Sequence, residues 1–351
     1  MATSFLWRLY YFYQALRGAN NSVLTEKHVP GTDLTGKWIV ISGSNNGVGF
    51  EAAKSFAKWG ANLILACREP PVWELHPTAA VQECKDIASA HGHSSTIEWW
   101  ELDMADTSSV EAFCQRWLDS DRPLDILCNN AGVAIKNKEL MTKDGFQLVH
   151  QVNFLSHVLL TLRLLPSLAR SAEPRIICST SCVHHLGLLE FDHFNGGPEM
   201  KGSDYANNKL YFQIWITELQ ARFLKHPEYR HITINGVHPG FVASGIWNNS
   251  SLADGVAEGI GKFLLNYVAI TSQQGSLAIT HAATSPGLGP DPAKQNVGAP
   301  NGRGGGKYVN RIWEAPSKFY CDDLEVRSRL WTLLDEELHL REKGLLDVLG
   351  L

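Results

Sequence analysis

The chain has 351 residues, of which 44% are hydrophobic and 19% charged, and its formal net charge is −5. These values are typical of a folded globular protein, because a disordered chain has fewer apolar residues and a membrane bundle has longer uninterrupted apolar runs. The lysines and arginines are dispersed along the chain, so no basic surface is available to neutralise phosphates. The composition therefore excludes nucleic-acid binding.

The cysteines indicate a reducing environment. There are 7 of them, an odd number with no CxxC pair, and Cys67, Cys128 and Cys178 fall within apolar runs typical of buried strands. Because disulfides are rare in reducing compartments, this usage predicts a cytoplasmic protein.

Residues 5–17 have the spacing of an amphipathic helix, with Phe5, Leu9, Phe12 and Leu16 on one face. The segment is too short to cross a bilayer, which takes roughly 20 apolar residues. Two interpretations remain open. The helix lies in the interface of a membrane or lipid droplet, or it packs on its own domain or on a partner. Residues 1–34 are predicted to form this helix and a linker.

From residue 37 onward, short apolar runs alternate with longer amphipathic stretches. The predicted strands are 38–42, 62–67, 96–103, 125–132, 175–181, 232–240 and 306–310, and the predicted helices are 48–59, 107–120, 142–169 and 205–225. Strands that alternate with helices favour parallel pairing through right-handed crossovers. The pattern predicts an α/β fold, a Rossmann-type doubly wound parallel sheet in a single domain over residues 35–310.

The remaining segments carry no motif of their own. Residues 286–306 are rich in Gly and Pro and predict a surface loop. A nucleotide-binding P-loop is excluded there, because Asn301 replaces its first glycine and Tyr308 its Ser/Thr. Residues 311–351 are predicted to form a C-terminal helical tail, because 322–346 has helical spacing and mixed charge.

A glycine cluster follows the first predicted strand. Gly43, Gly47 and Gly49 have the spacing G-x-x-x-G-x-G and lead directly into a helical pattern. Glycine permits positive φ and close backbone approach, and the free N–H groups at a helix start attract a pyrophosphate. Alone this turn is weak evidence, since any tight strand-to-helix connection can use glycine.

This spacing and the motifs after it resemble the short-chain dehydrogenase/reductase family. The later motifs are Asn129-Asn130-Ala131-Gly132, Asn153, Ser181, Tyr205-x-x-x-Lys209 and Pro239-Gly240. The resemblance covers roughly residues 35–310. His184-His185 and the sequence Val-His-Pro-Gly ending at Gly240 are similar to the retinol-dehydrogenase-like branch and to fungal biosynthetic short-chain reductases.

The resemblance implies an oxidoreductase that interconverts a ketone or aldehyde and an alcohol. The implied catalytic residues are Asn153, Ser181, Tyr205 and Lys209. Tyr205 would exchange a proton with the substrate oxygen, because the ammonium of Lys209 and the positive nicotinamide ring would lower the phenol pKa from about 10. Ser181 would position that oxygen, and Asn153 would hold a water linked to Lys209. The two hydroxyl residues before Ser181 leave a shift of one or two positions open.

The resemblance also implies a dinucleotide site. The implied cofactor-binding residues are Gly43, Asn45, Gly47, Val48, Gly49, Arg68, Asp103, Met104, Asn130, Ala131, Gly132, Tyr205, Lys209, Pro239, Gly240, Val242 and Ser244. The second strand ends at Arg68, where a carboxylate would select NAD. Since Arg68 can bind the extra phosphate of NADP, the sequence predicts NADP(H) in preference to NAD(H). A solvated Arg68, and hence NAD(H), is the alternative.

Residues 241–270 occupy the position of the family's substrate loop and are apolar and aromatic. The residues that would line a pocket for a medium-sized lipophilic substrate are Ile246, Trp247, Phe263, Leu264 and Tyr267. Such a substrate would belong to lipid, retinoid-like or secondary metabolism, although the same residues can equally pack as the core of a helical lid.

Three further expectations complete the interpretation. No metal site is predicted, because His184, His185 and His193 lack ligand spacing with carboxylates or cysteines. The resemblance implies a homodimer through helices 142–169 and 205–225. The alternative to an enzyme is a catalytically silent NADP(H)-binding regulatory protein, although this chain keeps all four implied catalytic residues.

Overall fold

A computed structural model describes residues 5–72, 74–135, 137–243, 269–290 and 304–346. The strands are β1 Trp38–Ser42, β2 Asn62–Cys67, β3 Ile97–Glu101, β4 Ile126–Asn129, β5 Arg175–Ser179, β6 Thr233–His238, β7 Tyr308–Asn310 and β8 Trp313–Ala315. The helices are α1 Phe5–Arg17, α2 Gly47–Lys58, α3 Pro77–Ala90, α4 Thr107–Asp119, α5 Leu148–Leu168, α6 Asp204–Lys225, α7 Ser272–Thr284 and α8 Leu324–Leu338.

The eight strands of the described residues form one sheet in the order β3-β2-β1-β4-β5-β6-β7-β8. Strands β1 to β7 pair in parallel, and only the short edge strand β8 runs antiparallel, to β7. The predicted α/β fold with a doubly wound sheet is confirmed. The sequence did not predict β8, because its hairpin lacks an Asn-Gly or Asp-Gly turn and is instead turned at Arg311, with φ +60°.

Helices cover both faces of the sheet, so the strands are buried on both sides. One apolar cluster joins Val40 of β1 to α4, α5, α6 and α8, and a second joins the alternate residues Ile39 and Ile41 to α2, α3 and α7. This alternation along one strand explains why the strand sequences are continuous apolar runs. The helices cover the faces of the sheet, so the predicted functional residues lie at the carboxyl ends of its strands.

Helix α5 is a long, apolar helix of the core. Among the described helices, α5 is the one that is long and apolar enough to cross a membrane. However, 89% of its apolar stretch is buried inside the protein. A buried core helix meets the same criterion. Its residues Gln151–Leu155 form a π-helical turn, a local widening that is often found at functional sites.

Helix α1 packs on the domain through a face different from its most apolar one. Tyr11 and Ala15 are buried against the protein, whereas Leu9, Phe12 and Leu16 are 49%, 52% and 55% exposed. The helix therefore combines a docked face with an exposed apolar face.

Candidate active site

The predicted site residues cluster beyond the carboxyl ends of β1, β4, β5 and β6. In open parallel sheets this is where ligands bind, next to the point at which the strand order reverses. That reversal occurs here between β1 and β4, which are neighbours in the sheet.

The glycine turn between β1 and α2 is shaped by close contacts that exclude side chains. Gly43 and Gly47 have φ values of +64° and +58°, in the left-handed region that favours glycine. A Cβ on Gly49 would lie 2.4 Å from the carbonyl oxygen of Gly43. The Asn46 side chain caps α2 by accepting a hydrogen bond from the Gly47 amide at 2.7 Å. The following amides start the helix, where they are available to an anion.

The segment after β4 is bonded directly to this turn. The Asn130 side chain donates to the carbonyl oxygens of Ser42 at 3.0 Å and Gly43 at 3.1 Å. The Ser42 hydroxyl in turn accepts from the amides of Asn130 at 2.9 Å and Ala131 at 3.0 Å. Sequence reasoning did not select Ser42, and the only signal was a hydroxyl residue at the end of the first strand. These hydrogen bonds join the glycine turn to the Asn129–Gly132 segment.

Asn153 lies in the π-helical turn of α5 and is bonded to the loop after β4. Its Oδ1 accepts from the amide of Val133 at 2.7 Å, and its Nδ2 donates to the carbonyl oxygen of Val133 at 2.8 Å. A Cβ on Gly132 would lie 3.3 Å from Asn153 Oδ1 and 4.0 Å from the Lys209 ammonium. The glycine therefore leaves open a space bordered by both side chains.

Tyr205 and Lys209 stand in the first turns of α6, which Ser203 caps by accepting from the Ala206 amide. The Lys209 ammonium donates to the carbonyl oxygen of Ser179 at 2.6 Å and lies 5.6 Å from the centre of the Tyr205 ring. Burial lowers the pKa of Lys209 to about 8, against the opposing effect of Cys178. The ammonium is thus held beside the phenol by the end of β5.

The pKa of Tyr205 is raised from its ordinary value, because the loss of solvent around the phenol outweighs a hydrogen bond with Ser181 that lowers it. The sequence predicted a lowered value from Lys209 and the positive nicotinamide ring together. The spacing of residues along a helix does not show how far a side chain is desolvated. In the protein without cofactor, desolvation has the largest effect on the pKa of Tyr205. Of three consecutive hydroxyl residues, Ser181 is the one this hydrogen bond joins to Tyr205, whereas the Ser179 hydroxyl lies 3.3 Å from Asn130 Oδ1.

Comparison with known proteins identifies the family. The model for the short chain dehydrogenase family matches residues 37–254. The chain belongs to this family. Retinol dehydrogenase 12 from Bos taurus is 31% identical over 97% of this chain and 98% of its own length, and retinol dehydrogenase 11 from Homo sapiens is 36% identical over 73% and 75%. The predicted retinol-dehydrogenase-like branch is confirmed.

A solved structure of an uncharacterized protein from Mycobacterium paratuberculosis has a TM-score of 0.60 at 23% identity, covering 88% of this chain and 96% of that one. At this identity the likeness shows the fold alone. As a short-chain dehydrogenase with retinol dehydrogenase relatives, the chain is an oxidoreductase that acts on CH–OH groups with a nicotinamide cofactor bound to its Rossmann fold.

In this short-chain dehydrogenase, the residue expected to select the cofactor lies at the end of β2. The Arg68 side chain is 49% exposed and forms an ion pair with Glu74 at 2.9 Å. The loop that carries Glu74 is joined to the glycine turn, because the Asn45 side chain donates to the carbonyl oxygen of Leu75 at 2.9 Å. Arg68 is therefore placed beside the turn but is engaged by a carboxylate.

Asp103 and Met104, two of the implied cofactor-binding residues, follow β3. Asp103 turns the chain there, since its carboxylate accepts from the Ala105 amide at 2.8 Å. Met104 is buried, and its carbonyl oxygen accepts from the Ser156 hydroxyl of α5 at 2.7 Å.

The segment after β6 carries the last of the implied cofactor-binding residues. Gly240 has a φ of +98°, and the next residues lead to Val242, which pairs with Ile270. A Cβ on Gly275 of α7 would lie 2.6 Å from the Val242 side chain and 3.2 Å from that of Val48. The predicted cofactor residues of the first and last loops therefore meet at one place. Ser244 and the predicted pocket residues of the substrate loop, Ile246, Trp247, Phe263, Leu264 and Tyr267, lie outside the described residues.

The histidines considered for a metal site occupy different surroundings. His184 and His185 are buried and their pKa values are lowered by desolvation, that of His184 to about 3, whereas His193 pairs with the exposed Glu199 at 3.7 Å. Within the described ranges, no group of three or more His, Cys, Asp or Glu side chains is arranged to hold a metal ion.

Proposed function

We propose that this short-chain dehydrogenase is an NADP(H)-dependent enzyme that interconverts a ketone or aldehyde and an alcohol on a medium-sized lipophilic substrate. The observation that carries the proposal is the hydrogen bond between Tyr205 and Ser181, with Lys209 beside the ring. Tyr205 is the acid/base group, Ser181 the positioning hydroxyl and Lys209 the cation, and the three side chains lie together.

The glycine turn supports a bound dinucleotide. Gly43 and Gly49 let the turn pack closely against neighbouring backbone, whereas no atom lies within 4 Å of the place where a Cβ on Gly47 would be. A ligand can therefore approach the backbone at Gly47, and the start of α2 offers amides to its pyrophosphate. When bound, the nicotinamide supplies or accepts the hydride. The residues fit that group.

Tyr205 exchanges the proton of the reaction, and Ser181 donates a hydrogen bond that holds the reacting oxygen in line. Desolvation raises the pKa of the phenol in the protein alone. With the cofactor bound, the positive charges of Lys209 and the nicotinamide ring would favour the phenolate and so oppose that desolvation. Each residue acts on the same oxygen or on the group that protonates it.

Asn153 supports a proton path to solvent. Both polar atoms of its side chain are engaged with Val133, so a relay water would be held by its backbone carbonyl in the π-helical turn. The proton then moves between Tyr205 and solvent through Lys209.

Two observations support the cofactor and the substrate class. The exposed guanidinium of Arg68 is able to form charge-assisted hydrogen bonds with the 2′-phosphate of NADP. Retinol, named in the relatives, is a lipophilic alcohol, and the loop 241–270 has the apolar and aromatic composition that such a substrate needs.

We also propose that the exposed face of α1 lies in a membrane interface. The helix has 13 residues, hence a length of about 20 Å, which is less than a bilayer core of about 30 Å. Its apolar face is aromatic and contains no acidic residue, and arginines stand near both ends, at Arg8 and Arg17. Such a face suits the headgroup boundary of an anionic leaflet. The site would then meet lipophilic substrates at the membrane of a cytoplasmic compartment.

The first experiment measures NADPH and NADH oxidation with a panel of lipophilic aldehydes and ketones, including retinaldehyde. We expect turnover with NADPH, reduced at least about 100-fold in Tyr205→Phe, since general acid catalysis contributes roughly 10²- to 10⁴-fold. The matched control is Tyr211→Phe, which removes a phenol hydroxyl from the same helix, where it accepts from the amide of Glu190 at 3.0 Å. This control should retain turnover.

Either of two results would contradict the proposal. NADPH binding without turnover of any member of the panel would indicate the regulatory protein instead. A protein that binds no NADPH would contradict both functions.

A further inference from the structure

The catalytic serine is followed by a short element that does not hold itself in place. Ser181 caps the 3₁₀ turn Cys182–Leu186, and its hydroxyl accepts from the Val183 amide at 3.3 Å. A single 3₁₀ turn has few internal hydrogen bonds and poor hydrogen-bond geometry. The position of Ser181 therefore depends on what packs against this turn.

On one side, the turn packs against α6, the helix that carries Tyr205. Cys182, Val183 and Ala206 form a buried apolar cluster with Tyr205 at its edge. A Cβ on Gly187, the residue after the turn, would lie 2.5 Å from the carbonyl oxygen of Ala206. This contact sets the distance between the serine segment and α6, but it leaves the outer side of the turn to other elements.

On its outer side, the turn packs against the C-terminal end of α1. A Cβ on Gly18 would lie 2.1 Å from Cys182 Cβ and 2.3 Å from its Sγ, so the backbone of Gly18 touches the residue next to Ser181. The carbonyl oxygen of Gly18 accepts from His238 Nε2 at 3.1 Å. Arg311 donates to the carbonyl oxygen of Ser22 at 2.6 Å, so that the chain after α1 is also fixed to the sheet.

The far end of the turn is held by the segment that follows β8. The Lys318 ammonium, which is buried, donates to the carbonyl oxygen of Gly187 at 2.5 Å. The Tyr11 ring of α1 stacks on His185 with centres 5.8 Å apart, and its hydroxyl accepts from the Phe319 amide at 3.2 Å. Helix α1 and the segment after β8 thus contact each other and the serine turn.

We infer that Gly18 and Lys318 are positioning residues for Ser181, and that α1 with the segment after β8 forms a clamp on the serine turn. Both residues lie outside the stretch 37–254 that matches the short chain dehydrogenase family. The inference rests on the proposed catalytic role of Ser181. Neither residue touches the reacting atoms. They act by fixing the turn against α6, so that Ser181 stays within hydrogen-bond distance of the oxygen that Tyr205 protonates.

The test is Gly18→Ala, assayed without vesicles. Gly18 does not have a positive φ, so the added methyl acts mainly by its clash with Cys182, which is much closer than the carbonyl oxygen of Ala15 at 3.0 Å. We expect kcat to fall at least ten-fold, while the Kd of NADPH, measured by fluorescence titration, stays within two-fold of wild type. A misplaced serine slows the chemical step, but the glycine turn that binds the dinucleotide is untouched.

The matched control is Leu24→Ala, which removes buried packing from the same N-terminal segment in a separate cluster with Val29 and Leu277. We expect a lower Tm and a kcat within two-fold of wild type. Should Gly18→Ala fail to fold, Lys318→Met serves in its place, because it removes the bond to Gly187 at the other end of the turn. It should show the same split between kcat and Kd.

The results separate this inference from the proposed function. A Gly18→Ala or Lys318→Met enzyme whose kcat is within two-fold of wild type, or no lower than that of Leu24→Ala, would overturn the clamp. Ser181→Ala is the reference variant. If it keeps wild-type kcat, the proposed role of Ser181 is wrong and the clamp has nothing to position.

Discussion

At the scale of single residues, the proposed preference for NADP(H) depends on the balance between Arg68 and Glu74. Their ion pair is half exposed, and such pairs contribute only about 0–1 kcal/mol, so a phosphate can compete for the guanidinium. We expect Arg68→Gln to raise the Kd of NADPH about ten-fold, equivalent to about 1.4 kcal/mol, with the Kd of NADH within two-fold. Glu74→Gln should lower the Kd of NADPH several-fold, because it frees Arg68 and removes a repelling charge.

Isothermal titration with both cofactors measures these effects. Glu83→Gln is a suitable control, since it neutralises an exposed carboxylate on α3 that pairs with Lys54. If either Arg68→Gln or Glu74→Gln changes the Kd of NADPH and the Kd of NADH by the same factor, the assignment of Arg68 to the 2′-phosphate is contradicted.

The residues of the site divide according to the kind of contact that places them. Tyr205 and Lys209 were predictable because a spacing of four puts them on one helix face, and the glycine turn because φ and close approach require glycine. The role of Lys318 was not predictable, because its contact with Gly187 joins residues 131 positions apart. The raised pKa of Tyr205 was missed for a similar reason, since desolvation arises only from the packed environment.

At the scale of elements, the sequence predicted β1 and β2 to the residue but did not indicate α3 or α7. The buried residues of α3 are Pro77, Ala80, Cys84 and Ala88, and those of α7 are Gly275, Ser276, Leu277, Ala278, Ile279, Thr280, Ala282 and Ala283. Small residues on a buried face give only a weak apolar periodicity, because the periodic signal depends on large side chains. The small residues of α7 nevertheless allow this helix to pack closely against the predicted cofactor-binding residues Val48 and Val242, as it does at Gly275.

The two roles proposed for helix α1 fall on two different faces, and a surface variant can separate them. We expect the protein to sediment with anionic phospholipid vesicles, and Leu9→Glu with Phe12→Glu to remain in the supernatant, because charges on the exposed face cannot enter the headgroup boundary. The variant should keep the Tm and the vesicle-free kcat of wild type, since the docked face with Gly18 is unchanged. Equal sedimentation of both proteins would contradict membrane contact.

At the scale of the whole molecule, the C-terminal tail packs against α5 and α6, the two helices through which the family resemblance implies a homodimer. Helix α8 packs along α6, where the Arg222 guanidinium lies 3.9 Å from the centre of the Trp331 ring and Arg327 pairs with Glu218 at 2.8 Å. It also reaches α5, where His150 and Glu337 are 2.9 Å apart. Helix α8 therefore occupies part of the surfaces of α5 and α6 through which the family resemblance implies a homodimer.

This covering predicts a single chain in solution. Sedimentation velocity should give one species near 38.9 kDa at micromolar concentration, because pairing through α5 and α6 would first require displacement of α8, whose inner face is buried. Leu334 of α8 is fully buried in the core, so Leu334→Ala should lower the free energy of unfolding by about 2–5 kcal/mol and loosen the tail. A variant that self-associates while the wild-type chain does not would show that the tail shields a latent interface. A wild-type species of twice the mass would contradict the covering and restore the dimer that the resemblance implies.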